Sequence, residues 1–387
     1  MVQPWPKRMR STEPMSGDHN RSGVAMQNLL VTGGAGFIGC NFIRFVLRNQ
    51  PAVRIVNLDA LTYAGNPANL RDLPDPERHV FVHGDICDQN LVVDLLRQYE
   101  IDAIVHFAAE SHVDRSILGP ALFVHTNIEG TFSLLEAARA VWGTTLGGSS
   151  FHVRFHHIST DEVYGSLGPG DPPFTETTRY APNSPYAASK AASDHLVRAY
   201  GRSYRLPILI TNCSNNFGPY QFPEKLIPLM ILSAREGKPL PVYGDGGQIR
   251  DWLYVEDHCE ALWTVLQHGL VGETYHIGGN TQPTNLNVIR QICAILDRLL
   301  PSSRHRPYES LIQFVADRPG HDRRYAMDTT KIRRELGWQA RHSFVEGLEN
   351  TVKWYLENGG WLSAIHEQEE YQAWLKANYG SRRPMAG

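Results

Sequence analysis

The sequence predicts an α/β protein: a doubly wound parallel sheet followed by a smaller C-terminal α/β lobe. Three observations predict it. From residue 27 to 218, short apolar runs alternate with segments of helical spacing, the pattern of repeated βαβ units. The first apolar run ends in a glycine-rich turn that opens a helix. Beyond Pro219 the alternation loses its regularity.

In chain order, NLLVTGG is a short apolar run bounded by glycines and reads as a buried parallel strand. FIGCNFIRFVLRN follows as a helix, VRIVNLD as the second strand and HVFVHGDI as the third. NLVVDLLRQY is a helix, DAIVHFAAE the fourth strand, and FVHTNIEGTFSLLEAARAV a long helix. VRFHHIST is the fifth strand, SPYAASKAASDHLVRAYGRSY a second long helix, and PILITNCSNNFG the sixth strand. In the last third, short strands (LPVYG, ETYHIGG, QFVAD) mix with helices such as LIPLMILSARE and NVIRQICAILDRLL. The expected organisation is a disordered extension over 1–26, a dinucleotide-binding domain over 27–218 and a mainly substrate-binding lobe over 219–387.

The 387 residues suffice for one large or two smaller domains. Hydrophobic content of 42% and charged content of 20% are those of an ordinary globular protein. A net charge of −3 gives no electrostatic case for nucleic acid or an anionic membrane as partner. Cys40, Cys87, Cys213, Cys259 and Cys293 are widely spaced and form no CxxC pair, which argues against a zinc ribbon or a disulfide framework. A reducing, cytoplasmic setting is the simpler reading. No apolar run approaches the ~18 residues of a membrane span. The first 26 residues are rich in Pro, Ser, Arg and Gly and lack the apolar core of a secretory signal. Met9, Met15 and Met26 are each candidate starts, and Met26 directly precedes the first strand.

The glycine-rich turn contains Gly33, Gly36 and Gly39, with Phe37 and Ile38 between the last two. Such glycines permit a tight turn and close approach of backbone to a pyrophosphate, which the following helix N-terminus then faces. Asp59 ends the second strand, where a carboxylate meets the adenosine ribose hydroxyls. An acid there favours NAD over NADP. Asp85 and Ile86 end the third strand, and Asp85 either caps that turn or flanks the adenine.

Tyr186 and Lys190 lie one turn apart on a helix face. A phenol near pKa 10 is a poor base at neutral pH, and a lysine ammonium one turn away, with the nicotinamide cation nearby, is expected to lower that pKa. The phenol then takes a hydroxyl proton as hydride leaves the same carbon. Ser159, Thr160, Asp161 and Glu162 follow at the end of the fifth strand, the end at which α/β sheets bind ligands. Two carboxyl groups divide acid and base work when their environments separate their pKa values. His156 and His157 are adjacent on a strand and point to opposite faces, so they read as structural, and no metal is expected.

The glycine turn, Ser159/Thr160 and Tyr186…Lys190 resemble the extended short-chain dehydrogenase/reductase family, whose members act on nucleotide sugars. Within it, STDEVYG, AAESHVDRSI, TNCSNNFGPYQFPEKLIPL, QIRDWLYVEDH and DRPGHDRRYAMD are similar to the dTDP-glucose 4,6-dehydratases. The resemblance runs from about Gln27 to Gly380. It implies tightly held NAD, oxidation at C4, loss of water across C5–C6 and return of hydride to C6. By that resemblance Tyr186 is the O4 base, Lys190 its partner, Thr160 the holder of O4, Glu162 the C5 base and Asp161 the acid at the C6 oxygen. It implies NAD contacts from Thr62, Phe107, Ala108, Ala109, Ser111, Thr126, Ser159 and Asn216. It implies substrate contacts from Ser111, Asn215, Lys225, Leu226, Pro241, Tyr243, Arg250, Asn285, Asp317, Arg318 and His321. The same chemistry on UDP-glucose or another nucleotide hexose is the alternative, since nothing in it requires thymine. Two long helices, about 121–141 and 185–201, resemble the pair through which the family forms a homodimer as a four-helix bundle. Leu134, Leu135, Leu196 and Val197 serve either the sheet or a partner.

Overall fold

The computed structural model describes residues 26–143, 153–317 and 321–366. Apart from Met26, the extension expected over 1–26 lies outside the described residues, as does Arg318.

The strands are β1 (Asn28–Thr32), β2 (Arg54–Asp59), β3 (His79–His83), β4 (Ala103–His106), β5 (Arg154–Thr160), β6 (Ile208–Cys213), β7 (Asn215–Phe217), β8 (Leu240–Tyr243), β9 (Trp252–Tyr254), β10 (Thr274–Ile277) and β11 (Ile312–Val315). The principal helices are α1 (Phe37–Asn49), α2 (Gln89–Gln98), α3 (Gly130–Trp142), α4 (Pro185–Tyr204), α5 (Leu226–Arg235), α6 (Val255–His268), α7 (Asn285–Leu299) and α8 (Phe344–Glu357).

Seven parallel strands form the main sheet in the order β10-β6-β5-β4-β1-β2-β3. The order reverses at β1: the chain leaves it first toward β2 and then returns to β4 on its other side. Thr32 pairs with Leu58 on one side and His106 on the other, so the turn after β1 opens into the crevice at the switch point. β4, β5 and β6 are buried at every position, as expected of strands covered on both faces.

Helix burial follows from spacing. α1 buries Gly39, Cys40, Phe42, Ile43, Val46 and Leu47, a 3-4 alternation that makes one apolar stripe. α4 starts sharply: Pro185 occupies its first turn, and the Ser184 hydroxyl accepts the Ala187 N–H. Its C-terminal cap, Arg205, is left-handed, with φ 57°. One core cluster packs α1 and α6 on one face of the sheet, and a second packs α2, α3 and α4 on the other. A third forms the smaller lobe from α5, α7 and α8 with the two-stranded sheets β11-β8 and β7-β9.

Three elements differ from the sequence reading. TYHI, grouped there with the smaller lobe, is β10 and forms the edge of the main sheet beside β6. The predicted sixth strand divides at Ser214 into β6 and β7, and β7 pairs with β9 instead of continuing the main sheet. The long helix over 121–141 is a helical turn at Pro120–Phe123, a π-helical stretch at Val124–Glu129 and then α3. Strand partnership and helical pitch are set by contacts far apart in sequence, which local periodicity does not carry. No helix among the described residues is long and apolar enough to cross a membrane. All five cysteines are free.

Leu134, Leu135 and Val197 are fully buried against the sheet, and Leu196 packs beside them. Open apolar groups on these helical segments are instead Leu122, Val124, Phe132 and Tyr204, with Leu118 at the end of the short helix just before the first.

Candidate active site

The crevice begins at the turn after β1. Gly33 has φ +73°, and a Cβ there would lie 2.6 Å from the Ala108 nitrogen. A Cβ at Gly39 would lie 2.3 Å from the Gly33 carbonyl oxygen. Gly36 is the N-cap of α1 and offers no side chain, which leaves the first-turn N–H groups facing the crevice. Asp59 sits at the end of β2, its Oδ2 accepting the Ala35 N–H and its Oδ1 the Leu61 N–H, each at 2.8 Å. Burial raises its pKa.

Every residue expected to contact a dinucleotide lines this one cavity: Gly33, Gly36, Phe37, Ile38, Gly39, Asp59, Thr62, Asp85, Ile86, Phe107, Ala108, Ala109, Ser111, Thr126, Ser159, Tyr186, Lys190 and Asn216. Ser159 Oγ and Asn216 Oδ1 are buried and have no hydrogen-bond partner among the described residues. Buried polar atoms are normally paired, so such orphans fit a polar ligand. The glycine cradle, the open helix N-terminus, the ribose-side carboxylate and these orphan atoms together fit a dinucleotide.

An adjoining cavity shares Ser111, Glu162, Asn215, Asn216 and Lys225 with the first, making one continuous cleft. It is lined by Leu226, Pro241, Tyr243, Arg250, Asn285 and His321 from the smaller lobe. Asn215 Oδ1 and Asn285 Oδ1 are again buried without a partner among the described residues. Arg250 is held by hydrogen bonds to the Ile249 and Asp322 carbonyls, with its guanidinium 4.3 Å from the Tyr325 ring centroid. Asp317 does not line the cleft. It stands behind it, bonded to His321 Nδ1 at 2.6 Å and Gln248 Nε2 at 2.8 Å.

Where the two cavities meet, the end of β5 turns through Asp161–Tyr164 as a single 3-10 turn capped by Thr160. Asp161 is 2% exposed, whereas Glu162 is half-buried and faces both cavities. Burial first, then the charges of Glu162 and Asp251, hold the Asp161 carboxyl well above the usual carboxylate range. The two neighbours in sequence therefore have different environments, the condition for opposite proton roles.

Tyr186 and Lys190 reach the same point from α4. Lys190 Nζ donates to the Ile158 carbonyl at 2.8 Å. Burial lowers its pKa to about 8, with Asp194 and Cys213 opposing. The expected depression of the Tyr186 phenol is not what the polypeptide supplies. Burial, then Glu162 and Cys213, push the phenol well above 10, and its contact with Thr160 opposes this. The desolvation of a fully enclosed phenol outweighs one lysine whose ammonium is directed to a backbone carbonyl.

The sequence reading missed Tyr63, Gln221 and Glu224, which also line the cleft. Arg115 Nε lies 3.2 Å from Glu224 Oε2, and its guanidinium 3.7 Å from the Tyr63 ring centroid. These residues sit in loops, where no periodicity marks them. Asp251, beside Arg250, was missed too: burial raises its pKa to about 7, and it influences Asp161 from some ninety positions on in the chain. His156 and His157 are fully buried, as expected of structural histidines, with His156 Nε2 3.1 Å from Thr211 Oγ1.

A family profile described as GDP-mannose 4,6 dehydratase matches residues 30–351. The chain is 54% identical over 363 residues to dTDP-glucose 4,6-dehydratase 1 of Escherichia coli K12, covering 92% of this chain and 99% of that one. It is 59% identical over 334 residues to the dTDP-glucose 4,6-dehydratase of Neisseria gonorrhoeae, covering 86% and 96%. A crystal structure of the Streptomyces venezuelae dTDP-glucose 4,6-dehydratase with NAD and TYD bound superposes with a TM-score of 0.79 at 48% identity, covering 88% and 100%. Fold and site thus define an enzyme of the extended short-chain dehydrogenase/reductase class, built to act on a nucleotide sugar. The chain belongs to the dTDP-glucose 4,6-dehydratase family.

Proposed function

We propose that this chain converts dTDP-glucose to dTDP-4-keto-6-deoxyglucose with bound NAD, and that Thr160, Asp161, Glu162, Tyr186 and Lys190 carry the chemistry. The observation that carries the reading is the enclosed Asp161, its carboxyl held well above the usual carboxylate range, beside the more open Glu162, with both acids acting on Tyr186. The chemistry bound NAD supplies is hydride acceptance from C4 and return to C6, together with a positive charge near the phenol.

Tyr186 takes the O4 proton as the C4 hydride departs, and Thr160 holds O4 for it. The resulting 4-keto group acidifies C5–H. Glu162 removes that proton, and Asp161, kept protonated by burial, gives its own to the departing C6 oxygen, which leaves as water. Hydride adds at C6, and Glu162 returns its proton to C5. The proton gained by Tyr186 balances the one lost by Asp161. Lys190 keeps a positive charge beneath the phenol throughout.

Lys225 and Arg250 supply cations for the diphosphate, Arg250 with a bidentate fork. Asn215, Leu226, Pro241, Tyr243, Asn285 and His321 line the nucleotide end, with Asp317 holding His321. A homodimer forms through the helical segments that carry Leu118, Leu122, Val124, Phe132 and Tyr204, whose open apolar surface supports such a partner.

The test is a panel of dTDP-, UDP-, CDP- and GDP-hexoses read by mass. Loss of one water from dTDP-glucose is the expected result. Turnover of none of them sinks the reading, and preference for UDP-glucose replaces its base assignment.

A further inference from the structure

The face of α4 that carries Tyr186 and Lys190 carries two more charged groups at the same four-residue step, Asp194 and Arg198. Asp194 has no exposed surface. Its Oδ2 accepts the Tyr180 hydroxyl at 2.6 Å and the Asn212 amide at 3.3 Å, and His157 Nε2 lies 3.2 Å from its Oδ1. Tyr180 and Asn212 both present donors, which suits an ionised, acceptor-only carboxylate. Burial raises the Asp194 pKa, but His157, Lys190 and Tyr180 outweigh it and hold the group below the usual carboxylate range.

A buried anion is tolerated when a cation answers it. Arg198 spends its guanidinium on the Tyr180 hydroxyl, at 2.7 Å, and on Thr274 Oγ1, at 3.3 Å. Lys190, one turn back, is the other cation of the face. Around it stand Tyr186 on α4, His157 on β5, His106 on β4 and Cys213 on β6, and it lines the same cavity as Asp161 and Glu162 at the end of β5. Burial draws the His106 imidazole well down and His157 to about 4, pushes the Cys213 thiol up to about 12, and holds the Asp161 carboxyl well above the usual carboxylate range. Asp194 is thus the buried anion of this neighbourhood. Asn212 also donates to the Thr160 carbonyl at 3.0 Å, so the same amide links Asp194 to the catalytic strand end.

We propose that Asp194 is a positioning residue for the dehydration: its buried charge keeps Lys190 an ammonium, and Asn212 transmits its hold to Thr160. The inference rests on Lys190 acting as the cation beneath Tyr186. Lys190 is already drawn down to about 8 by burial, and Asp194 opposes that fall. Neutralising Asp194 therefore lets the ammonium lose its proton at lower pH.

The experiment is the pH profile of kcat for the Asp194→Asn holoenzyme, with native-like NAD content and melting as the check on folding. The alkaline limb is expected to move down by about one unit, giving a loss of ~5-fold near pH 8 and almost none near pH 6. An unmoved limb, with or without a uniform loss, overturns the proposal. Arg198→Met keeps the carboxylate and removes the competing cation, so its limb stays or moves up. A downward move there overturns the proposal even if Asp194→Asn does not fold. Lys190→Met separates the two readings: native-like turnover in that variant sinks the role of Lys190 itself, whereas its inactivity with an unmoved Asp194→Asn limb sinks only the role of Asp194.

Discussion

The Thr160 hydroxyl donates to Asp161 Oδ1 at 3.2 Å while accepting the Glu162 N–H at the same distance. This one hydroxyl turns the chain at the end of β5 so that Asp161 goes into the protein and Glu162 toward the cleft. The division of labour proposed for the two acids starts from that turn.

The two acids are separable by isotope exchange. Asp161→Asn is expected to keep exchanging the C5 proton with deuterated solvent while losing water ~10²–10⁴-fold more slowly. Glu162→Gln is expected to lose the exchange and still reduce the bound cofactor. The reverse pattern, followed by NMR and mass, would reassign the acid and the base.

Tyr186→Phe removes the proposed O4 base and keeps the ring. Single-turnover reduction of the cofactor, followed by its absorbance, is expected to slow by ~10²–10⁴-fold. Unchanged hydride transfer would place the base elsewhere in the cleft.

Gly33→Ala tests the dinucleotide cradle. The added methyl would stand 2.6 Å from the Ala108 nitrogen, at a backbone angle that side chains rarely adopt. Purified protein is expected to carry less NAD and to melt at lower temperature. Full NAD occupancy with native melting counts against the cradle.

Phe132 is 46% exposed on the outer face of α3. A glutamate there places charge in the proposed helix–helix contact, so Phe132→Glu is expected to sediment as a monomer while the parent sediments as a dimer. A monomeric parent refutes the assembly.

The dinucleotide half was readable because its signals are local. A glycine turn, the helix it opens and an acid at the next strand end lie within about thirty residues, and each dictates backbone geometry on its own. Tyr186, Lys190, Asp194 and Arg198 share a face by helical pitch alone, yet only the first pair stood out. The meaning of Asp194 depends on Tyr180, Asn212 and His157, which reach it from other elements. β10 was assigned to the wrong neighbour for the same reason: its partner β6 lies some sixty residues earlier.

The sequence by itself determined the class of fold, the glycine cradle and the residue types at the catalytic strand end, because those follow from backbone sterics and periodicity. Tertiary structure decided which acid is enclosed, since burial depends on what packs above it. Asp161 and Glu162 are adjacent in sequence, and the intrinsic acidities of their carboxyl groups differ by less than about half a pKa unit. The enclosing protein, with Asp251 from the smaller lobe adding to burial and Arg250 opposing it, holds the Asp161 carboxyl well above the usual carboxylate range, while Glu162 stays open to the cleft.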